Sequence, residues 1–323
     1  MNDLTILYHG NCFDGCASTA LIGRFLAERE GVALDAIRHR PLAHTQGDPF
    51  PADAFGPGLT ACVDFRFSAR PGLTWWFDHH QSAFQTPADR EAFEADRSGK
   101  KFWDPKAPSC TGFIQRTLRD RFGWTAPELD GLVHWAEIID AARFPSAAMA
   151  VRLEEPALRI MTVLEASRDP ALPDRVIEAM RSRPLDEIAQ APWVTAPLAP
   201  LLDRHARAIE AYRALARETG GVVEVDLGES GIEVANKFIA YDLFPRARYT
   251  VVVSQDPKRS KVSVGSNPWG TIPRTHDISK LCERYGGGGH PVVGAVTLPP
   301  GRLDEARRIA GEIAAALRSE AGA

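Results

Sequence analysis

The chain has 323 residues and a formal net charge of −4, with 44% hydrophobic and 25% charged residues. This composition is typical of a soluble globular protein of one large or two ordinary domains, and the net charge argues against broad, nonspecific coating of nucleic acid. No apolar run approaches the roughly 20 residues that cross a bilayer, so we expect no membrane partner. Five cysteines without regular spacing, and an N-terminus without a basic signal region, predict free thiols and a cytoplasmic location.

Short apolar runs alternate with helical periodicity through the first part of the chain. Strands are predicted at residues 4–8, 33–38, 60–63 and 73–77, with a helix from about 17 to 30. Strands that alternate with helical segments are typical of a parallel sheet. The predicted fold class is therefore α/β, with an N-terminal parallel-sheet domain and a smaller C-terminal α/β domain.

The pattern turns mostly helical from about residue 109 to 190 and then meets a cluster of prolines. Pro192, Pro197 and Pro200 predict a stiff segment that interrupts helical structure and marks a domain boundary. Beyond it, helices are predicted at 201–218, 277–284 and 303–317, and strands at 222–227, 249–254, 261–265 and 292–298. We therefore divide the chain into an N-terminal domain at 1–191, a linker and connecting helix at 192–219, and a C-terminal domain at 220–323.

Acidic and imidazole side chains follow three of the predicted strands. Strand carboxyl ends are where α/β sheets bind ligands, and imidazole with carboxylate suits divalent ions such as Mn, Fe, Co and Zn. Two such ions about 3.5–4 Å apart can clamp a phosphoryl group and generate a hydroxide. The residues of suitable type and placement for such a site are His9, Asp14, Asp64, His79 and Asp140, and the run Asp78-His79-His80 puts three metal-competent groups at one strand end.

Each acid also has a structural interpretation when it is considered alone. Asp14 is placed to cap a helix or a turn, Asp64 to form a surface ion pair, and Asp140 to pair with Arg143 at a helix end. Considered together with Asp78-His79-His80, the acids favour a metal site.

In order and spacing, these residues resemble the four motifs of the DHH phosphoesterases, of the oligoribonuclease and RecJ-like kind. The matching motifs are His9-x-x-x-x-Asp14-Gly15-x-x-Ser18, Asp64, Asp78-His79-His80 and Asp140. Gly286-Gly287-Gly288-Gly289-His290 resembles the Gly-Gly-Gly-His motif of the family's C-terminal domain. The resemblance implies Mn²⁺-dependent hydrolysis of phosphoesters or phosphoanhydrides in a cleft between a catalytic domain at 1–191 and a substrate-binding domain at 220–323. Two Mn²⁺ ions are expected, with Mg²⁺ or Co²⁺ as alternatives.

The resemblance also implies a role for each residue. His9, helped by Asn11, would ligate one metal, whereas Asp14, His79 and Asp140 would ligate the other and Asp64 would bridge the two. The catalytic pair would be His80, facing the scissile phosphate, and Asp78, orienting an imidazole. The implied substrate-binding residues are Gly287, Gly288, Gly289, His290 and Asn267.

The first motif departs from the family pattern. Its usual first aspartate falls on Cys12, with Asn11 beside it, and an amide oxygen supplies no negative charge, so one metal is expected to bind weakly. Cys12 and Cys16 are predicted to pack the following helix rather than to bind metal. Phe102-Trp103, beside two lysines, is predicted to be a loop whose aromatic rings stack on nucleobases.

The function predicted from these features is attack of a metal-bound hydroxide on a phosphoester. Short oligonucleotides or linear dinucleotides are the first choice of substrate, and 3′,5′-bisphosphonucleosides the second. The alternatives are a catalytically impaired nucleotide-binding protein of the same fold and a pyrophosphatase-like phosphohydrolase. A homodimer is compatible with the sequence.

Overall fold

The computed structural model describes residues 3–43, 45, 47–232 and 236–319, and the chain divides into two compact units. The first unit contains Met1–Phe144 and Glu154–Leu198, and the second contains Pro145–Leu153 and Ala199–Ala323. A short segment from the middle of the helical region, Pro145–Leu153, thus belongs with the C-terminal half of the chain. The division beyond it falls between Pro197 and Pro200.

A five-stranded sheet, parallel throughout, forms the centre of the first unit. Its spatial order is β2-β1-β3-β4-β5. The predicted α/β class with an N-terminal parallel sheet is therefore confirmed, and the middle strands are almost wholly buried, as such sheets require. The strands are β1 (Leu4–His9), β2 (Ile37–Leu42), β3 (Leu59–Val63), β4 (Trp75–Asp78) and β5 (Lys101–Trp103).

Helices follow three of these strands, and the chain from β5 to Pro192 is mostly helical. The helix α1 is the longest of those before the prolines and buries 14 of its 18 residues, so its hydrophobic pattern runs around most of its circumference. The helices are α1 (Phe13–Glu30), α2 (Pro87–Ala95), α3 (Cys110–Phe122), α4 (Asp130–Asp140), α5 (Ala147–Arg152), α6 (Pro156–Ala166), α7 (Leu172–Met180) and α8 (Leu185–Ala189), of which α5 lies in the second unit.

The proline segment is helical, and the prediction that it interrupts helical structure is wrong. Helix α9 spans Pro192–Leu215 without a break. Pro192 occupies the first turn, where a missing N–H costs little, but Pro197 and Pro200 each remove a hydrogen bond at about 3 kcal/mol. Buried side chains at a spacing of four residues on either side of these prolines offset the loss. They are Val194, Leu198, Ala208 and Tyr212.

The second unit is built on a mixed six-stranded sheet of order β10-β11-β9-β8-β7-β6. Only the β7–β8 pair is parallel, and the other neighbours are antiparallel. Helix α12 buries one face against the sheet through Ile309 and Ile313. This unit confirms the predicted C-terminal α/β domain. Its elements after α9 are β6 (Arg217–Thr219), β7 (Val222–Asp226), α10 (Ile239–Leu243), β8 (Tyr249–Asp256), β9 (Arg259–Ser266), α11 (Ile278–Glu283), β10 (Gly288–His290), β11 (Val293–Leu298) and α12 (Leu303–Arg318).

The tetraglycine run is part of a hairpin as well as a turn. Gly288, Gly289 and His290 form β10, which pairs with β11, so the run is not only the loop that its composition suggests. A Cβ atom on Gly287 would lie 2.2 Å from the Ala295 carbonyl oxygen, and one on Gly289 would lie 2.3 Å from that of Val293. Glycine is therefore required at both positions because the two strands approach so closely.

The Phe102-Trp103 pair lies in a strand and is packed, so the loop prediction is wrong. Both residues belong to β5, and the Phe102 ring stacks on Phe77 with centroids 4.9 Å apart. The Trp103 ring meets Phe84 edge-on at 5.1 Å. The basic neighbours that suggested a nucleobase platform flank an aromatic cluster of the core instead.

None of the helices that the structure describes is both long and apolar enough to span a membrane.

His39, on β2, is a buried histidine with a partner at each ring nitrogen. Its Nδ1 lies 3.3 Å from an Asp174 carboxylate oxygen, and its Nε2 contacts the Arg181 guanidinium. A carboxylate only accepts and a guanidinium only donates, so the ring carries its proton on Nδ1 and is neutral. Burial, together with the Arg181 charge, lowers the pKa of His39 to about 4.

This depressed pKa predicts a specific loss of stability in acid. The unfolded chain takes up a proton on His39 near its ordinary pKa of about 6.5, whereas the folded chain resists until about 4, so stability is lost as pH falls through this window. His39→Gln should lose about 2 kcal/mol less unfolding free energy than the wild type between roughly pH 7 and pH 5. Chemical denaturation at the two pH values measures the difference, and parallel losses in both proteins would contradict it.

Candidate metal centre

Three adjacent strands deliver the first residues of the candidate site. His9 ends β1, Asp64 directly follows β3, and Asp78 ends β4, and these strands are neighbours in the sheet. In the sheet, β2 lies on one side of β1 and β3 lies on the other. The direction in which successive strands are added therefore reverses between β1 and β3. Open α/β sheets bind ligands in the crevice at this reversal.

Asp64 lies at the centre of the group and is almost fully buried, with 1% exposure. One carboxylate oxygen, Oδ2, is 3.6 Å from His9 Nδ1, and the other, Oδ1, is 3.5 Å from His79 Nε2. Among the described residues neither oxygen has a hydrogen-bond partner. Burial alone would raise the pKa of Asp64, but the imidazoles of His79 and His9 lower it below its ordinary range.

The backbone at Asp64 is held in an unusual conformation. Its φ of 52° is in the left-handed region, and its N–H donates to the Phe77 carbonyl oxygen at 3.0 Å. This turn brings the carboxylate to the sheet edge at a cost of about 1–2 kcal/mol. Gly15 makes room for it, because a Cβ there would lie 2.2 Å from the His9 carbonyl oxygen and 3.4 Å from Asp64 Oδ2.

The His79 ring is fixed in one orientation. Its Nδ1 is 3.0 Å from the Ala107 carbonyl oxygen, which can only accept, so Nδ1 carries a proton and Nε2 is the nitrogen that faces the carboxylates. Nε2 lies 3.3 Å from Asp140 Oδ2 and 3.9 Å from Asp14 Oδ2, and within the described part of the chain no hydrogen bond satisfies it. An imidazole nitrogen buried among carboxylates suits a divalent cation, which would displace the proton from it on binding.

Asp14, in the first turn of α1, is fully buried and held by the N-terminus of α3. Its carboxylate accepts from the Cys110 N–H at 2.7 Å, the Thr111 N–H at 3.1 Å and the Thr111 hydroxyl at 2.6 Å. The hydroxyls of Ser18 and Thr111 share a further hydrogen bond at 3.0 Å. The partial positive charge of a helix N-terminus favours a carboxylate here. Asp14 is therefore more than the cap of its own helix.

The sequence did not identify Cys110 and Thr111 as part of the site. Ser109, which caps α3 through its hydroxyl, marked the start of a helix, and a helix N-terminus is a place where anions are bound. The sequence thus indicated a helix N-terminus that could bind an anion, but it did not indicate that the anion is the Asp14 carboxylate.

Asp78 positions His80 rather than His79. The buried Asp78 accepts from the backbone N–H groups of both histidines, at 2.8 and 3.2 Å, and its Oδ1 lies 2.7 Å from His80 Nδ1. The Trp103 indole N–H donates to the His80 carbonyl oxygen at 2.9 Å and fixes the backbone there. The hydrogen bond to Asp78 raises the pKa of His80 above its ordinary value, although burial acts in the opposite direction.

Cys12 lies among the side chains of the site. The Cys12 sulfur belongs to a group with His9 and Asp64 whose ligand atoms all lie within 4.8 Å of one another. Asn11 is exposed and has a left-handed φ of 53°. This turn precedes Cys12, the residue before α1, whose side chain makes no capping hydrogen bond. The Asn11 ligand stays a prediction, whereas Cys16 is fully buried, as a packing role requires.

Three overlapping groups of ligand atoms lie at this edge of the sheet, each within 4.8 Å. One is the group of His9 and Cys12 just described, a second joins Asp64 to His79 and His80, and the third joins Asp14, His79 and Asp140. Asp64 and His79 each belong to two groups. The unsatisfied buried atoms of Asp64 and His79 and the oxygen and nitrogen donor set fit divalent cations.

Concentrated negative charge shapes the titration of this site. Burial raises the pKa of Asp14 well above its ordinary range, with Asp64 and Asp140 adding to the rise and Thr111 opposing it. Burial and Asp64 raise the pKa of Asp140 to about 6. Burial would lower the pKa of His79, but Asp64, Asp14 and Asp140 raise it to about 10. Protons therefore balance charge that a divalent cation would balance on binding.

The predicted substrate-binding residues lie in the second unit. Gly289 and His290 are exposed, and Gly287 and Gly288 are half-buried. The Gly287 N–H donates to the Cys282 carbonyl oxygen at 3.0 Å. Asn267 uses its amide to join two loops, because Nδ2 donates to the carbonyl oxygens of Pro245 and Ala247, in the segment before β8, at 3.0 and 2.9 Å, and Oδ1 accepts from the Trp269 N–H. A substrate role for these residues stays a prediction.

Searches of family models and of curated proteins find no match to this chain. Solved structures do match it, among them a pGpG-specific phosphodiesterase, PggH, from Vibrio cholerae, with 19% identity and a TM-score of 0.70 over 97% of this chain and 99% of that one. The DHH domain of a member of the s1p family of ribosomal proteins matches with 14% identity and a TM-score of 0.60, over 98% and 88% of the two chains.

RecJ from Thermus thermophilus, in complex with Mn²⁺, matches with 15% identity and a TM-score of 0.53 over 97% of this chain and 52% of RecJ. Together these likenesses show that the chain has the DHH-type fold that its motifs predicted.

The hydroxyl of Thr111 should matter for metal binding although it is no ligand. Thr111→Val removes the 2.6 Å hydrogen bond to Asp14 and should weaken Mn²⁺ binding about 10–100-fold, the usual cost of losing such a supporting partner. Isothermal titration calorimetry measures the change, with Thr117→Val on the same helix as the matched control. Equal Mn²⁺ affinity in folded Thr111→Val and in the wild type would contradict the expectation.

Proposed function

We propose that this chain, which has the DHH-type fold, is a metal-dependent phosphoesterase that hydrolyses short oligonucleotides or linear dinucleotides. The observation that carries the proposal is Asp64, a buried carboxylate that turns one unsatisfied oxygen toward His9 and the other toward His79. The similarity to a phosphodiesterase specific for pGpG and to Mn²⁺-bound RecJ supports the choice of reaction and substrate class. The first choice of metal is a pair of Mn²⁺ ions, with Mg²⁺ or Co²⁺ as alternatives.

The ligand groups suggest how two ions would be shared. His9 would hold one ion, Asp14, His79 and Asp140 would hold the other, and Asp64 would bridge them. Bound there, divalent ions supply an activated water and neutralise charge on the phosphoryl oxygens. The protein's part is to fix the donors, and the contacts of Ala107 with His79 and of Thr111 with Asp14 do so before any ion binds.

His80 is proposed to act on the leaving group. Its Nδ1 proton is held by Asp78 at 2.7 Å, and the raised pKa favours the doubly protonated ring. Its side chain is 34% exposed, so a substrate can reach it, whereas Asp78 is fully buried. His80 would then donate the proton on Nε2 to the departing oxygen, and Asp78 would stabilise the cation beforehand.

The second unit is proposed to bind the part of the substrate that does not react. The exposed backbone of Gly289 and the exposed His290 side chain offer donors that suit a phosphate or a base edge. Gly287, Gly288 and Asn267 are proposed to shape this surface, through the hairpin and the loop that they stabilise.

The thiols are compatible with the reducing compartment that the composition predicts. All five cysteines are free. We therefore place the reaction in the cytoplasm, where disulfides are rare.

Loss of either shared ligand should abolish turnover. Asp64→Asn removes the bridging charge and His79→Ala removes the imidazole shared by two groups, so neither variant should hydrolyse pGpG with Mn²⁺, Mg²⁺ or Co²⁺. Release of mononucleotides measures the activity, and Asp120→Asn, the same change on an exposed carboxylate, is the matched control. Near-normal turnover in either variant, with unchanged metal content, would contradict the assignment of Asp64 and His79 as metal ligands.

The same assay separates the alternatives. Hydrolysis of inorganic pyrophosphate in preference to pGpG would favour a pyrophosphatase-like enzyme. Binding of pGpG by the wild type without turnover in any metal would favour a catalytically impaired nucleotide-binding protein.

His290 should contribute to substrate affinity rather than to chemistry. His290→Ala should raise KM for pGpG about tenfold, the equivalent of about 1.4 kcal/mol, and leave kcat within about twofold, because the imidazole would bind ground state and transition state equally. Steady-state kinetics with pGpG, and with a small phosphomonoester that lacks the distal nucleotide as the comparison substrate, measure the effect. A fall in kcat without a change in KM would contradict this role.

A further inference from the structure

Cys12 is placed where a metal ligand would lie. Its sulfur, a ring nitrogen of His9 and a carboxylate oxygen of Asp64 all lie within 4.8 Å of one another, close enough for one ion to contact all three. The three residues come from the end of β1, the start of α1 and the turn after β3, so the backbone of two strands and a helix fixes their spacing.

The Cys12 side chain does not act as a hydrogen-bonding cap of the helix that follows it. It precedes α1 at a position where side chains commonly cap the helix, but it makes no capping hydrogen bond. It is partly exposed, whereas the other four cysteines are buried. A cysteine that only packed the helix would be expected to resemble Cys16, which is fully buried one turn further along.

Asp64 supplies an independent indication that an ion belongs in this group. Its side chain is 1% exposed, and within the described residues neither carboxylate oxygen has a hydrogen-bond partner. Burying an ionised carboxylate without compensation costs several kcal/mol, and the two imidazoles near Asp64 lie 3.5 and 3.6 Å away without a hydrogen bond to it, so a bound cation would supply the direct partner that these oxygens lack. Oδ2 is the oxygen that faces His9, 3.6 Å away, on the side of Cys12.

We propose that Cys12 is a thiolate ligand of the metal position that it forms with His9 and Asp64, and that this sulfur makes the position selective for Fe²⁺, Co²⁺ or Zn²⁺ over Mn²⁺ and Mg²⁺. The inference rests on the metal centre proposed above and replaces Mn²⁺ as the first choice at one of its two positions. On binding, the thiol releases its proton to solvent, and the sulfur lone pair forms the bond to the ion.

The two metal positions would then differ in chemistry. A set of imidazole, thiolate and carboxylate favours borderline and softer ions, whereas Asp14, His79 and Asp140 offer only nitrogen and oxygen donors, which Mn²⁺ and Mg²⁺ accept readily. The centre is therefore a mixed one, with one ion that the thiolate selects and one that is more freely exchanged.

Cobalt gives a direct readout of the sulfur bond without any turnover. The metal-free full-length protein is titrated with Co²⁺, and near-ultraviolet sulfur-to-cobalt charge-transfer absorption should appear together with the visible bands of bound Co²⁺. Cys12→Ser should abolish the charge-transfer absorption, whereas Cys16→Ala, which removes the neighbouring thiol of the same helix, should retain it.

Metal selectivity tests the second half of the proposal. The ratio of Zn²⁺ to Mn²⁺ affinity, measured by competition with a chelator, should fall by at least about tenfold in Cys12→Asp, since even supporting partners of a ligand are worth that much. Asn11→Asp adds the same charge one residue away and should leave the ratio unchanged. A shift in Asn11→Asp but not in Cys12→Asp would transfer the ligand role to Asn11 and overturn the proposal.

The outcomes separate this inference from the function on which it rests. Visible cobalt bands without charge-transfer absorption would show an ion bound without sulfur and overturn only the Cys12 assignment. Absence of any bound cobalt would overturn the metal centre itself. Charge-transfer absorption that persists in Cys12→Ser would assign the sulfur to another cysteine and also overturn the proposal.

Discussion

The buried carboxylate of Asp64 is the constraint on which the rest of the candidate site depends. A charge with 1% exposure, whose two oxygens accept no hydrogen bond from the residues that the structure describes, is tolerated only where opposite charge is close at hand. Two imidazoles at strand ends meet that requirement, His9 at the end of β1 and His79 directly after β4. The parallel sheet is the device that brings these ends together, because all of its strands finish at the same edge.

A layer of supporting contacts surrounds the ligand atoms and fixes their chemistry. The Ala107 carbonyl oxygen fixes the orientation of the His79 ring, the N-terminus of α3 holds Asp14, and Trp103 holds the backbone of His80. These partners are backbone groups or residues with no metal-binding chemistry of their own. Preorganisation of this kind lowers the cost of placing several like charges in one small volume.

The sequence predicts those parts of the site that depend on local patterns. An apolar run followed by an acid or a histidine marks a strand end, and the alternation of strands and helices then implies a parallel sheet that gathers Asp64 and His79. Contacts over long separations leave no local pattern, and Thr111 is 97 residues from Asp14. Local signals can also be overridden, as α9 runs through its prolines because buried side chains on either side of them hold the helix together.

The left-handed backbone conformation of Asp64 lowers the stability of the fold in favour of the proposed site. At a φ of 52°, glycine would relieve both the conformational cost and the burial of a charge, so the residue that serves the proposed chemistry is a poor choice for the backbone. Directed evolution for heat resistance alone would therefore tend to select replacements at this position. Many thermostable variants recovered in this way would carry a substitution at position 64 and would lack the proposed catalytic activity.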